Sequence, residues 1–221
     1  MKILALEFSS PQRSVAVVHG GPGGGPLCLG EAIETGGRVT NALGLVEEAL
    51  SQAQFDRAQI ECLAVGLGPG SYNGMRLAIA LAQGWQLARS VKLLGISSVE
   101  CLAAQAQAEG IAGRVDIVID AQRGEFYLAG YELSPGTQRE IEPLRLAAVS
   151  EVQARQQAGG LLVGPEVTNW FPGGRVLYPR AATLGQLARG RADFVAGETL
   201  QPIYLRETRF VKAPPPRKLP A

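Results

Sequence analysis

The apolar residues of this chain alternate between short buried runs and helical stripes. Lys2-Ile3-Leu4-Ala5-Leu6-Glu7 is a continuous apolar run closed by an acid, and it predicts a first strand covered on both faces. Ser9-Ser10-Pro11 forms a turn, and residues 14–18 predict a second strand. Residues 20–26 are almost entirely Gly and Pro and read as a turn between strands, since no helix start follows them. A third strand is expected over 27–33. From 40 to 54, Leu43, Val46, Ala49 and Leu50 recur at helical spacing, with Thr40 or Asn41 as N-cap. Residues 60–67 predict a buried strand that runs into Gly68-Pro69-Gly70-Ser71-Tyr72-Asn73-Gly74. A helix over 75–89, a strand over 93–96 and a helix through 99–108 capped by Ser97-Ser98 complete a first half of α/β layer type.

The second half starts as the first does. Residues 115–120 predict a strand ending in Asp120, Gln122-Arg123-Gly124 a turn, and 125–131 an alternating return strand. Both halves thus open with an apolar strand, a terminal acid, a polar turn containing Arg and an antiparallel strand. This internal repeat points to two related halves joined near 108–114. The expected division is an N-terminal lobe over 1–107, a smaller C-terminal lobe over 108–212, with helices at 150–158 and 183–189, and a Pro-rich disordered tail over 213–221.

Composition narrows the class. The chain has 221 residues, 46% hydrophobic and 19% charged, enough to bury a sizeable core. Its formal net charge of +1 supplies no global field for capturing nucleic acid or an anionic membrane. From Ile203 onward, however, Arg206, Arg209, Lys212, Arg217 and Lys218 face only Glu207, which leaves open a solvated tail or a contact with RNA. Cys28, Cys62 and Cys101 are odd in number and widely spaced, fitting neither a disulfide framework nor a zinc knuckle. His19 is the only histidine, which excludes a multi-histidine metal site. Met1-Lys2 enters the first strand without a signal-like region, and the longest apolar stretch, 77–88, is interrupted by Gln83 and Gln86. A cytoplasmic location with no membrane partner is the expectation.

Two places invite chemistry. Glu7 and Asp120 end the repeated strands, where a duplicated α/β fold brings carboxylates to a cleft; each either coordinates a nucleotide's metal or its water, or accepts backbone N–H bonds in its own turn. The Gly68–Gly74 loop, with Gly70, Ser71 and Arg76 nearby, lies between a strand and a helix start, as a phosphate site or simply a tight turn. It is not a Walker loop. The turn at Arg123-Gly124-Glu125 is most simply a local ion pair. No nucleophile has a predictable base. The helix over 75–89 is apolar nearly all round: Ala78 and Ala82 are four apart, as are Ala80, Gly84 and Ala88, with Leu77, Ile79, Leu81, Trp85 and Leu87 between. A sheet covers one side of such a helix, and either the domain's own core or a partner must cover the other.

Several motifs in order carry a resemblance: Leu4-Ala5-Leu6-Glu7-Phe8-Ser9-Ser10, Gly68-Pro69-Gly70-Ser71 through Arg76, Gly95-Ile96-Ser97-Ser98, Ile119-Asp120-Ala121-Gln122-Arg123-Gly124-Glu125-Phe126-Tyr127 and Pro202-Ile203-Tyr204-Leu205-Arg206. Together, over roughly residues 2–210, they resemble the TsaB (YeaZ) family. Its members are bacterial accessory subunits for making N6-threonylcarbamoyladenosine in tRNA, once loosely described as glycoprotease-like. The resemblance implies a duplicated two-lobed actin-like ATPase fold, the class of sugar kinases, Hsp70 and actin. It implies pairing with the metal-bearing paralogue TsaD and the ATPase TsaE, with no cofactor of its own, ATP or ADP at the complex interface, and tRNA reached indirectly. It also implies a homodimer in isolation and a partner interface on N-lobe helices, here matched by Leu43, Val46 and Leu50 on the first and Met75, Ala78, Ile79, Ala82 and Trp85 on the second. The family's usual Asp is Glu7 here, a His-Ser pair on the first helix is Asn41-Ala42, and Phe-Thr is Tyr72-Asn73. With one histidine, the chain lacks the transferase paralogue's His-x-x-x-His site. The expected role is a non-catalytic scaffold; the alternative is a self-sufficient nucleotide-dependent phosphotransferase using Asp120 and Glu7.

Overall fold

A computed structural model describes residues 1–20, 27–36 and 40–206. The Gly/Pro-rich turn beyond Gly20, and the tail with Arg209, Lys212, Arg217 and Lys218, lie outside the described residues. Two five-stranded sheets form the framework. In the first, β1 (Lys2–Glu7), β2 (Gln12–His19) and β3 (Leu27–Thr35) make an antiparallel meander. β4 (Cys62–Gly66) pairs parallel to β1, and β5 (Lys92–Ile96) parallel to β4, giving the order β3-β2-β1-β4-β5. The second sheet repeats this plan. β6 (Gly113–Asp120), β7 (Glu125–Ser134) and β8 (Thr137–Ala148) form the meander, and β9 (Leu161–Gly164) and β10 (Arg175–Val176) add in parallel. The order β8-β7-β6-β9-β10 is the same strand plan. The short repeat at the start of each half therefore marks a full topological duplication, the two-lobed actin-like α/β fold.

The helices follow the duplication unequally. In the first half α1 (Ala42–Ala53), α2 (Tyr72–Arg89) and α3 (Ser98–Ala108) follow β3, β4 and β5. In the second, α4 (Val149–Gln157) follows β8, a single 3-10 turn (Val167–Asn169) stands where α2 would be, and α5 (Ala181–Arg189) follows β10. Asn41 is the cap of α1: its side-chain oxygen accepts the Gly44 N–H at 3.2 Å. Ser71 caps α2 through Gly74 N–H, so that helix begins three residues earlier than its apolar stripe suggests. β8 escapes detection in the sequence because Thr-Gln-Arg-Glu-Ile-Glu-Pro is the polar, proline-bearing chemistry of a protected sheet edge.

The third helix of each half packs on the other half's sheet. α5 lies across β1 and β2, where Ala181, Leu184 and Ala188 meet Ile3, Ala5, Ala16 and Val18. α3 places Val99, Leu102, Ala103 and Ala106 against Val115, Ile117 and Ala129 of the second sheet. β1 is thereby buried on both faces, since Leu4 and Leu6 pack toward α1 and α2, which is why its sequence shows no polar alternation. The chain after α5 stays on the first lobe: Val195 bridges to Leu93 at the edge of β5, and Leu200 joins the first core. Residues 181–206 thus sit spatially with a lobe that the sequence division assigns to residues 1–107.

The helix faces correct the expected partner interface. Val46 (1% exposed), Leu50 (3%), Ala78 (0%), Ile79 (6%) and Ala82 (0%) are sealed in the lobe's own core, and Met75 (1%) is buried beside Gly68. Side chains with no accessible surface cannot meet a partner. Of the residues expected there, Leu43 is exposed and Trp85 half-buried. The outward face of α2 is a different stripe: Ala80, Gly84, Leu87 and Ala88 exposed, with Leu77 and Leu81 half-buried.

Candidate functional site: the cleft between the lobes

The two equivalent turns, β1–β2 and β6–β7, both line a cleft of about 720 Å³. Ser9, Ser10, Pro11 and Arg13 come from the first turn; Asp120, Ala121, Gln122 and Arg123 come from the second. Gly70, Ser71 and Tyr72 at the start of α2 supply a third wall, and Tyr127, Glu166, Tyr204 and Arg206 complete it. Gly70 is required by close approach: a Cβ there would lie 2.0 Å from the Ser9 carbonyl oxygen, at a φ of +150° that side chains avoid. The Ser71 N–H donates to that same carbonyl at 2.7 Å, tying the loop to the β1–β2 turn.

Glu7 is not in the cleft. It is fully buried, with Oε1 accepting the Ser9 N–H and Oε2 accepting the Ser98 hydroxyl, both at 2.8 Å. Ser98 Oγ in turn accepts the Gly68 N–H at 3.1 Å, so this acid joins β1, the glycine loop and the start of α3. Burial pushes its carboxyl above the ordinary carboxylate range, against the pull of its hydrogen bonds from Ser9 and Ser98. A group whose folded pKa is raised contributes stability that is complete at acid pH and lost as pH rises through that pKa. Glu7→Gln, which keeps the shape and stays neutral, is therefore expected to fold with a melting temperature that falls less from acid to neutral pH than the parent's. Thermal melts across that range check it; a variant that fails to fold, or melts with the parent's pH dependence, counts against it.

Asp120 does reach the cleft, but its carboxylate accepts the Gln122 N–H at 2.7 Å and the Gln122 side-chain amide at 3.4 Å. It serves its own turn. Gly68 and Arg76 lie off the cleft wall, Gly68 packed on the Met75 sulfur and Arg76 over the Tyr72 ring at 4.6 Å. Of the six residues expected at a phosphate site, Gly70, Ser71 and Asp120 come together at the cavity; Glu7, Gly68 and Arg76 do not. Tyr127, Tyr204 and Arg206 lie in the motifs that carry the resemblance, yet neither they nor Arg13 stand out in the sequence as site residues, because they converge from distant segments. Glu125 pairs not with Arg123, as its turn suggests, but with Arg206, which also donates to the Gln122 carbonyl at 3.2 Å.

The segment ending at Arg206 is a strap that holds this arrangement. Gly197 exchanges hydrogen bonds of 2.8 Å with Gln83 and Gln86 of α2, and the Ile203 N–H donates to Leu67 O at 2.9 Å. Tyr204 then stacks on Tyr72, centroids 5.5 Å apart and planes at 30°. The cysteines take no part: burial drives the Cys62 thiol up to about 12 and Cys101 well above its ordinary value, so both are unreactive. His19 sits edge-on to Phe55 at 6.2 Å, a packing contact. No helix among the described residues is long and apolar enough to cross a membrane.

Comparison with known proteins matches this geometry. A family model described as TsaD, tRNA N6-adenosine threonylcarbamoyltransferase, matches residues 38–183. The tRNA threonylcarbamoyladenosine biosynthesis protein TsaB of Escherichia coli K12 is 29% identical over 225 residues, spanning 93% of this chain and 95% of that protein. The chain belongs to the TsaB (YeaZ) family. Solved structures agree. YeaZ from Pseudomonas aeruginosa superposes with a TM-score of 0.77 at 27% identity, covering 92% of this chain and 99% of that one. A second Pseudomonas aeruginosa structure, described as similar to peptidase YEAZ, gives 0.78 at 28%, covering 93% and 99%. In this TsaB-family chain the sealed Glu7 serves as an internal brace.

Proposed function

We propose that this chain is a non-catalytic accessory subunit of tRNA threonylcarbamoyladenosine synthesis. It docks the metal-bearing paralogue TsaD through the outward face of α2, the ATPase TsaE joins the pair, and ATP or ADP sits at the complex interface. The observation that carries this reading is the exposed apolar stripe of Ala80, Gly84, Leu87 and Ala88. Leu87 is 89% exposed, and a Cβ built on Gly84 meets nothing within 4 Å. A glycine in mid-helix costs about 1 kcal/mol against alanine, and among the described residues nothing approaches it closely enough to require one. A partner helix laid along the small residues does.

The phosphotransferase alternative loses support from Glu7, since its carboxylate is walled off by Ser9 and Ser98 and cannot reach a nucleotide in the cleft. The deciding experiment is reconstitution: paralogue, ATPase and tRNA with and without this chain, with modified adenosine measured by mass spectrometry. Modification that depends on the chain is expected; undiminished modification without it overturns the accessory role. In the absence of the paralogue the same stripe is expected to pair two copies, and sedimentation should then show a concentration-dependent dimer.

A further inference from the structure

The β6–β7 turn carries an unusual backbone. Gln122 (φ 65°), Arg123 (φ 62°) and Gly124 (φ 74°) are three successive left-handed residues. For two adjacent side chains other than glycine this costs roughly 1 kcal/mol apiece. The neighbours hold the conformation: the Asp120 carboxylate takes the Gln122 N–H, and the Gln122 carbonyl accepts from both Arg206 and the Glu125 N–H. The strained residue itself contributes nothing to that bracing. Arg123 is exposed, makes no ion pair among the described residues, and lines the cleft.

Two further guanidiniums line the same space, Arg13 from β2, which also donates to the Gly36 carbonyl at 2.8 Å, and Arg206 from the end of the strap, along with Ser9, Ser10, whose hydroxyl donates to the Gln12 carbonyl at 2.7 Å, and Ser71. Tyr127 lines the wall, and Tyr72 and Tyr204, each about half exposed at 52% and 45%, form a stacked pair at its edge. The acids do not balance this as a metal site. Glu7 is sealed inside the lobe, Asp120 is committed to its turn, and Glu166 faces the cavity as its one other carboxylate. Among the described residues no group of three or more His, Cys, Asp and Glu side chains is placed to hold a metal ion. Guanidiniums, hydroxyls and exposed rings together recognise a phosphodiester with an unstacked base beside it. Beyond Arg206 the sequence adds four more cations against Glu207 alone.

We propose that the cleft is a metal-independent contact for a single-stranded stretch of RNA, with Arg13 and Arg123 on the phosphodiester and Tyr127 and Tyr204 offering rings to a base. The choice of RNA over a free nucleotide rests on the accessory reading above, and it makes the contact with tRNA direct where the resemblance implies an indirect one.

The test uses the full chain and a fluorescently labelled single-stranded RNA of mixed sequence, in EDTA, read by anisotropy. Saturable binding that weakens as salt rises is expected. Arg123→Gly is the decisive variant: glycine releases the left-handed strain, so the melting temperature holds or rises. RNA affinity should nevertheless fall about tenfold, as for a lost hydrogen bond to a charged group, with a salt slope smaller by about one. Binding that needs Mg²⁺, that survives Arg123→Gly unchanged, or that is absent altogether overturns the proposal. AMP competing as well as unlabelled RNA does so too, assigning the cleft to a free nucleotide. The two readings separate cleanly. Absent RNA binding with modification still dependent on the chain removes only the RNA contact; RNA binding as described with modification independent of the chain removes only the accessory role.

Discussion

Ala82→Glu is expected to unfold the first lobe, whereas Gly84→Glu is expected to leave it folded and disable docking. The two positions are two residues apart on α2, about 200° of rotation, and that rotation decides everything. Ala82 is fully buried among Leu4, Val46, Leu63 and Val65. A carboxylate there must either lose its charge or drag water into the core, and its bulk overpacks a close helix–sheet contact, together costing about 4 kcal/mol or more. That is a large part of the stability of a chain this size. Gly84 has open space around its missing Cβ. Glutamate there gains roughly 0.5–1 kcal/mol of helix propensity while placing an uncompensated charge in the proposed interface. Circular dichroism melts and gel filtration with the paralogue separate the outcomes. Ala82→Glu melting like the parent would refute the sheet-facing assignment, and Gly84→Glu still forming the complex would refute the docking face.

Arg155→Met is the second large effect expected. Asp116 lies in mid-strand β6, 1% exposed, and its closest cation is the Arg155 guanidinium at 2.9 Å, with Arg114 at 3.5 Å from an exposed position. Arg155 also holds Glu142 at 2.7 Å, and Arg145 joins Glu142 to Glu151. Removing one partner of a buried pair leaves the other charge without compensation, at a cost of roughly 3–5 kcal/mol, with Arg114 keeping the figure toward the lower end. Asp116→Asn in the same background is expected to recover much of the loss, because it removes the stranded charge. If denaturant melts show the single variant as stable as the parent, the cluster is a surface ornament of the second lobe.

The same cluster sets an acid limit. Hydrogen bonds from Arg155 and then Arg145 hold the Glu142 carboxyl down at about 2, against an ordinary value of 4.5. A lowered pKa contributes stability that is present above about 4.5 and is lost as pH falls toward 2. Glu7 acts with the opposite sign: its contribution is lost as pH rises, that of Glu142 as pH falls.

Much of this architecture is legible in the order of residues. Apolar runs capped by Glu7 and Asp120, each followed by an arginine-bearing turn and a return strand, reveal the duplication, because strand periodicity and turn chemistry are local properties. The caps Asn41 and Ser97 are equally local. β8 is invisible because an edge strand needs charges and proline to stay unpaired, and those residues look like loop. The strap is invisible for another reason: Gly197, Ile203 and Tyr204 gain meaning only from partners about 100 residues or more away, Gln83, Leu67 and Tyr72.

The sequence by itself determined the two-lobed α/β plan and the excess apolarity of α2, since hydrophobic period and composition need no knowledge of neighbours. Tertiary structure alone decided which side of α2 is spent on the core and which is left over. It moved Glu7 from a candidate nucleotide or phosphate position to a brace, and it exchanged α3 and α5 between the lobes. It gathered Arg13, Arg123 and Arg206 around one cleft. Each of these depends on where a side chain points after distant segments have packed, and a one-dimensional pattern carries residue types and spacings but not that direction.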